Sequence, residues 1–297
     1  MSRHGRRGFA LLAVLWVVVG VSAVAAASLL LARGAVSTAR NRVGLARASW
    51  RAEDCLERTR AVIDDAVSGR HDLPRPIDGG WSDLDRVVLG SPVVSDAACD
   101  VSLRPTGMAV DVNRADAEQL RTLFRAAGLS DAQGDSMADA LLDWRAHHRP
   151  PRNGAFADVR ELRDVRGFGA DVLPDSVLGT LFTVEPGRIL WSRAPLIVLA
   201  SLPGMTAEAL ARLADLRAGG QAIGDIGTLA ATLSPSARDT LAAHYGDLTR
   251  LTTGDPDAWV LVARGRSGSA PPVAASIEVL LVRAGARVAI VRRRTAP

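Results

Sequence analysis

Residues 6–32 read RRGFALLAVLWVVVGVSAVAAASLLLA, two arginines and a glycine ahead of an unbroken apolar run. From Phe9 to Ala32 no charged residue intervenes over 24 residues, which is long enough to cross a bilayer core as a helix. Arg3, Arg6 and Arg7 precede the run, and Arg33 and Arg40 follow it. The denser cluster ahead of it favours a cytoplasmic N-terminus, with the bulk of the chain beyond the membrane. A secretory signal peptide is the competing reading, because Ala23 to Ala27 could supply a small-x-small cleavage site, but its apolar core would ordinarily be shorter. The residues that follow bear on this choice. No proline occurs before Pro74, and Leu56, Thr59, Val62, Ile63, Ala66 and Val67 recur at helical spacing, so the helix continues into water as an amphipathic stem to about Ser68. A rod of about 60 residues is about 90 Å long at 1.5 Å per residue.

A cleaved signal has no reason to run on into a long stem, whereas a subunit that packs its apolar half among other helices does. The remaining composition suits a folded exported body. The chain has 297 residues, 48% hydrophobic and 23% charged, with a formal net charge of +4, close to globular averages. Every basic side chain is arginine, and so small a surplus does not by itself indicate nucleic acid. Two cysteines allow at most one internal disulfide, and no cysteine or histidine cluster has zinc-ligand spacing.

The body divides into strands around a helical centre. His71 to Trp81 is rich in proline and glycine and reads as a loop. Arg86 to Leu103 reads as short strands broken by Gly90 and Pro92. Trp259–Ala263, Ser276–Val282 and Arg287–Val291 are β-rich, with a hairpin turn at Ala284-Gly285-Ala286. Between them, residues 113–250 read as helical. Asp116 with Gln119, Ser130 with Gln133 and Asp158 with Glu161 have capping-box spacing, and Gly128 and Gly167 are helix stops. This section repeats itself. NRADAEQL (113–120) is similar to SRAPLIVL (192–199), MADALLDWRA (137–146) to EALARLADLRA (208–218), and AFADVREL (155–162) to AIGDIGTL (222–229). The order is kept while the offsets shrink through 79, 72 and 67 residues, as expected of two related helical subdomains, about 113–169 and 192–245. Leu141, Leu142, Trp144, Leu213 and Leu216 are then core positions.

Basic residues, Gly8 and then Phe9 opening an apolar helix resemble the type IV prepilin leader. That resemblance implies a leader over residues 1–8, cleavage between Gly8 and Phe9 by a prepilin peptidase, and methylation of the new Phe9 amine. Most members of that superfamily carry a glutamate at the fifth mature position, where this chain has Ala13. An unpaired charge in lipid is costly, so loss of the carboxylate suits a subunit with no neighbour above it. The departure, the run Ala10 to Val17 with Trp16, and the blocks DVNRADAEQL, ALLDWRA and FADVRELRDVRGFG resemble the minor pseudopilin K (GspK) family of type II secretion. The resemblance covers the whole chain. It implies an α+β fold: a transmembrane and stem helix over 9–70, a small pilin-like antiparallel sheet from 71–112 and 251–297, and an all-α insertion of two helix-hairpin-helix or SAM-like subdomains over 113–250. It also implies a non-enzymatic subunit of the inner membrane that caps the pseudopilus tip and helps initiate its assembly. Minor pseudopilins I and J and the major pseudopilin G are the partners it implies. Members of the family can bind calcium through the helical domain, but relatives tend to have a longer, acid-rich segment where this chain has the basic RAHHRPPRNGA (145–155), and no ligand set can be placed.

A second function competes. VRGFG (165–169) and LPGMTAEAL (202–210) are also similar to helix-hairpin-helix modules, whose glycine amides hold DNA phosphates, so a membrane-anchored DNA receptor is the alternative. Nucleic acid is disfavoured, because Leu202 to Leu210 has no basic residue and the glycines also suit tight helix–helix turns. His147 and His148 are adjacent, cannot share a helical face, and read as solvated. Ser201, Ser234 and Ser236 lack a GxSxG-like nucleophile context, which disfavours a hydrolase. Gly167-x-Gly169 is too short for a dinucleotide fingerprint. Cys55 on the stem and Cys99 in the strand at 98–103 can be bridged if that strand packs on the stem; two buried thiols are the alternative. Arg292 to Arg294 read as a solvated end to the last strand, free to meet anionic lipid or an acidic partner.

Overall fold

The computed structural model describes residues 5–68, 81–94, 96–146, 154–221, 223, 225–268 and 272–296. Its first element is one unbroken helix, α1 (Gly5–Ser68), of 64 residues, about 96 Å at 1.5 Å per residue. The helix is already formed at Gly5, ahead of Phe9. Over 12–42 it is exposed throughout, and this part is long and apolar enough to cross a membrane. From Ala48 onward one face is buried: Ala48, Ala52, Cys55, Leu56, Thr59 and Ile63 are at most 1% exposed, the spacing of one helical face.

That face lies on a four-stranded antiparallel sheet, β1 (Cys99–Pro105), β6 (Ala258–Arg266), β7 (Ala274–Ala284) and β8 (Arg287–Ala296), in the order β1-β6-β7-β8. The three C-terminal strands and the turn at Gly285, φ +66°, match the sequence expectation. Helix and sheet approach closely because Gly265 lacks a Cβ, which would sit 2.2 Å from the Ala48 carbonyl oxygen. One expectation fails. Residues expected as a strand begin with α2 (Leu84–Leu89), because Leu84 and Val88, one helical turn apart, are both buried against the stem-and-sheet core, and this packing overrides the β preference of Val87 and Val88.

Between β1 and β6 the chain leaves the sheet and returns to it. The first helical unit opens on β2 (Val110–Asp111), runs through α3 (Ala117–Ala126), α4 (Asp131–Ala146), a 3₁₀ turn (Val159–Asp164) and α5 (Asp175–Leu181), and closes on β3 (Phe182–Thr183). The second opens on β4 (Ile189–Leu190), runs through α6 (Leu196–Leu199), α7 (Ala207–Ala218), α8 (Ile226–Ala230), α9 (Pro235–Ala243) and α10 (Tyr245–Leu251), and closes on β5 (Thr252–Thr253). In each unit the first and last strands pair in parallel, β2 with β3 and β4 with β5. The two units share one core, with Phe124, Phe168 and Phe182 in mutual ring contact at 5.8–6.2 Å.

Candidate functional site

Two regions can carry function: the N-terminal helix, and the joint that fixes the helical insertion to the sheet. Gly8 and Phe9 lie within α1. Ala13 is exposed on the same helix.

The insertion leaves and rejoins the sheet at one neck. Pro105 and Trp259 are register partners; the Thr106 amide donates to the Ala258 carbonyl at 2.9 Å, and the Ala258 amide donates to the Thr106 hydroxyl at 3.2 Å. The Trp81 indole donates to the Pro256 carbonyl at 2.6 Å and the Trp259 indole to the Trp81 carbonyl at 2.9 Å. Gly107, at φ +81°, packs its α-carbon on the Arg188 carbonyl, where any Cβ would be 2.1 Å from the oxygen, and the Leu190 amide donates to the Gly107 carbonyl at 2.9 Å. The start of the second unit is thereby held against the neck.

Three charged contacts clamp this joint. Arg193 reaches across from the second unit to Asp85 at 2.5 Å and Asp83 at 3.2 Å, with its guanidinium 5.5 Å over the Trp259 ring. Burial pushes the Asp85 carboxyl up, and the hydrogen bond and charge of Arg193 more than reverse this, leaving it below the ordinary range. Arg188 pairs with Asp257 at 2.7 Å; burial raises the Asp257 carboxyl, and the Arg188 bonds bring it below its ordinary value. Glu185, 2% exposed in the link between the units, meets Arg292 and Arg294 of β8. This corrects the expectation of a solvated C-terminal arginine run: Arg292 and Arg294 serve Glu185 and Glu278, and Arg293, on the opposite face of the strand, meets Glu53 of the stem.

Inside the insertion, matching arginines were missed in the sequence although they lie in matching blocks. Arg145 donates to the carbonyls of Val112 (3.0 Å) and Ala115 (2.8 Å), and Arg217 donates to those of Trp191 and Ala194. Each closes its unit by tying the second long helix to the loop after the first strand. Asp116 caps α3 by accepting from the Gln119 amide at 2.9 Å, and Ser130 and Gln133 bond reciprocally at the start of α4. The Asp158 cap differs from a capping box: Asp158 accepts from the Arg160 amide, and Glu161 reaches the Ala157 amide instead.

The glycines of the hairpin-like blocks are used internally. A Cβ on Gly167 would be 2.9 Å from Met137, one on Gly204 would be 3.0 Å from His244, and Gly169 faces the Asp171 carboxylate. Crowding of this kind fits the tight helix–helix turns that the sequence also allows at these glycines. Ser201 is buried and donates to the Val198 carbonyl, and Ser234 caps α9 and pairs with Glu208, which are structural roles. His147 and His148, and the loop from His71 to Gly80, lie outside the described residues. Among the described residues no three His, Cys, Asp or Glu side chains converge on a cation site, and several insertion carboxylates pair with arginine, as Asp131 does with Arg125 and Asp139 with Arg121. Cys55 and Cys99 meet beneath the sheet with their Cα atoms 5.9 Å apart and are joined as a disulfide, a separation that such a bond spans.

No family model and no curated protein sequence matches the chain. A search of solved structures finds a chain in the crystal structure of the GspK-GspI-GspJ complex from the enterotoxigenic Escherichia coli Type 2 Secretion System. The likeness has a TM-score of 0.60 at 15% identity and covers 87% of this chain and 99% of that one. The chain therefore has the fold of a component of that complex, with a long N-terminal helix, a small antiparallel sheet and many helices.

Proposed function

We propose that this chain is a minor pseudopilin of a type II secretion system, processed at Gly8, inserted in the inner membrane through α1, and placed at the pseudopilus tip by its insertion. The observation that carries the reading is the near-complete structural overlap with a chain of the GspK-GspI-GspJ complex. In this account α1 supplies the shaft contact and Ala13 replaces the carboxylate that would neutralise a subunit above. The two helical units make a head too wide for another subunit to stack on. Minor pseudopilins I and J are the neighbours, the major pseudopilin G lies below them, and the role is mechanical rather than catalytic. The Cys55–Cys99 bridge forms once the body reaches an oxidising compartment.

Gly8→Asp tests the processing step, because an acidic side chain at the scissile position blocks the peptidase. In the native host the variant is expected to accumulate at precursor size and to disappear from complexes with minor pseudopilins I and J. A variant that matures normally counts against the reading.

A further inference from the structure

We propose that β8 can pair with β7 in two registers, and that the buried carboxylates Glu185 and Glu278 hold it in one of them, making the C-terminal strand a strap that sets how firmly the helical insertion is fastened to the sheet. The observation that carries this is a bulge. Along the β7–β8 ladder Leu281 faces Ile290 and Leu280 faces Arg292, so Val291 is left without a partner and is 56% exposed. One extra residue inverts the alternation of a strand. Val288 and Ile290, ahead of the bulge, pack on the stem side of the sheet, and regular alternation would send Arg292 and Arg294 to that side as well. The bulge turns them to the other side, onto Glu185 and Glu278, and leaves Arg293 on the stem side with Glu53.

The run Val291-Arg292-Arg293-Arg294 makes a second register available. With Val291 taken into the ladder, Arg293 would stand in the place of Arg294 opposite Glu278, Arg292 in the place of Arg293 opposite Val279, and Thr295 would face Ser276 instead of Ile277. Only one place changes character: opposite Leu280, a valine replaces Arg292. Leu280 lies in an apolar cluster with Ala258 and Val260, so that exchange favours the regular register, which also removes the unpaired residue. The carboxylates oppose it. Glu185 is 2% and Glu278 9% exposed, and a nearly buried carboxylate is costly without a cationic partner. In the bulged register they share two guanidiniums, with Arg294 2.7 Å from Glu278 and 3.4 Å from Glu185, and Arg292 meeting both. The regular register offers them Arg293 alone. Glu185 sits in the link between β3 and β4, which joins the two helical units, so displacement of the insertion acts directly on the group that sets the register.

The test reports each register with a cysteine pair in the full-length protein in detergent, oxidised with copper phenanthroline and read by peptide mass spectrometry; the native cysteines are already bridged. Direct partners in an antiparallel pair have Cα atoms about 4.5–5.5 Å apart, within disulfide reach. I277C/T295C reports the bulged register and S276C/T295C the regular one. With Glu185 and Glu278 intact, the first pair is expected to close and the second is not. E185Q is expected to shift the ratio of products about tenfold towards the second, the weight of one charge-assisted bond, and E278Q shifts it the same way should E185Q not accumulate. Deleting Val291 removes the choice, because the remaining residues pair regularly with Arg292 and Arg294 still turned to the carboxylates; in that background E185Q is expected to leave I277C/T295C as the main product. An unchanged ratio in E185Q and E278Q, loss of both products as from a strand that only frays, or a ratio that shifts equally with Val291 deleted overturns the proposal.

Discussion

At the scale of single residues, the joint depends on a few side chains whose loss has distinct signatures. Arg193 is about a quarter exposed and satisfies two carboxylates and one indole face. Arg193→Ala strands Asp85 and leaves Asp83 only its pair with Arg86, and its expected cost is about 2 kcal/mol, between the values for exposed and fully buried pairs; chemical denaturation of the folded body reads it. The pH dependence has a fixed sign. Asp85 and Asp257 sit below their ordinary value of 3.8 in the folded chain, so their contribution is complete above that pH and is lost as pH falls through the lowered values. The stability gap between wild type and Asp85→Asn/Asp257→Asn is therefore expected to be constant at neutral pH and to close below about pH 3.8. Gly265→Val forces two methyl groups against the backbone of α1, where even a Cβ would be 2.2 Å from the Ala48 oxygen and 2.3 Å from the Ala52 nitrogen. Overpacking of this kind costs about 1–3 kcal/mol, and the thermal midpoint is expected to fall accordingly, whereas Gly285→Asn, in the open β7–β8 turn, is expected to leave it nearly unchanged.

At the scale of elements, the two helical units act as copies. Arg145 and Arg217 make the same pair of carbonyl contacts in their own units, so Arg145→Ala and Arg217→Ala are expected to cost similar amounts, about 2 kcal/mol each for charge-assisted bonds. With no shared partners, the double variant is expected to lose about the sum, and a strongly sub-additive double variant contradicts two independent closures. The Cys55–Cys99 bridge spans 44 residues, and its reduction is expected to cost about 2–4 kcal/mol, measured as a shift in the denaturation midpoint with and without reductant. These elements were legible in the sequence to different degrees. The caps at Asp116 and Ser130 were readable because donor and acceptor lie three residues apart, and β6 to β8 because their apolar runs are long. The six-residue α2 was not, since only tertiary burial of Leu84 and Val88 distinguishes it from a strand. β2 to β5, two residues each, have no periodicity to read. Arg292 and Arg294 looked solvated because their partner Glu185 lies more than 100 residues away in sequence.

At the scale of the whole molecule, one continuous helix carries both an apolar run long enough to cross a membrane and the base of the folded body, and the insertion is clamped to that body by Arg193, Arg188 and Glu185 rather than hung from a free linker. The tip position proposed above calls for a head held in this way. The central claim is that the rod begins at Phe9 after cleavage in the prepilin pathway. The chain has no lysine, so a mature form with a methylated Phe9 has no primary amine anywhere. The most direct measurement is the mass of the N-terminal peptide of the protein isolated from membranes of its native host. The account predicts a peptide that begins at Phe9 and carries one added methyl group on its amine; an intact Met1 or Ser2, or cleavage near Ala27, contradicts it.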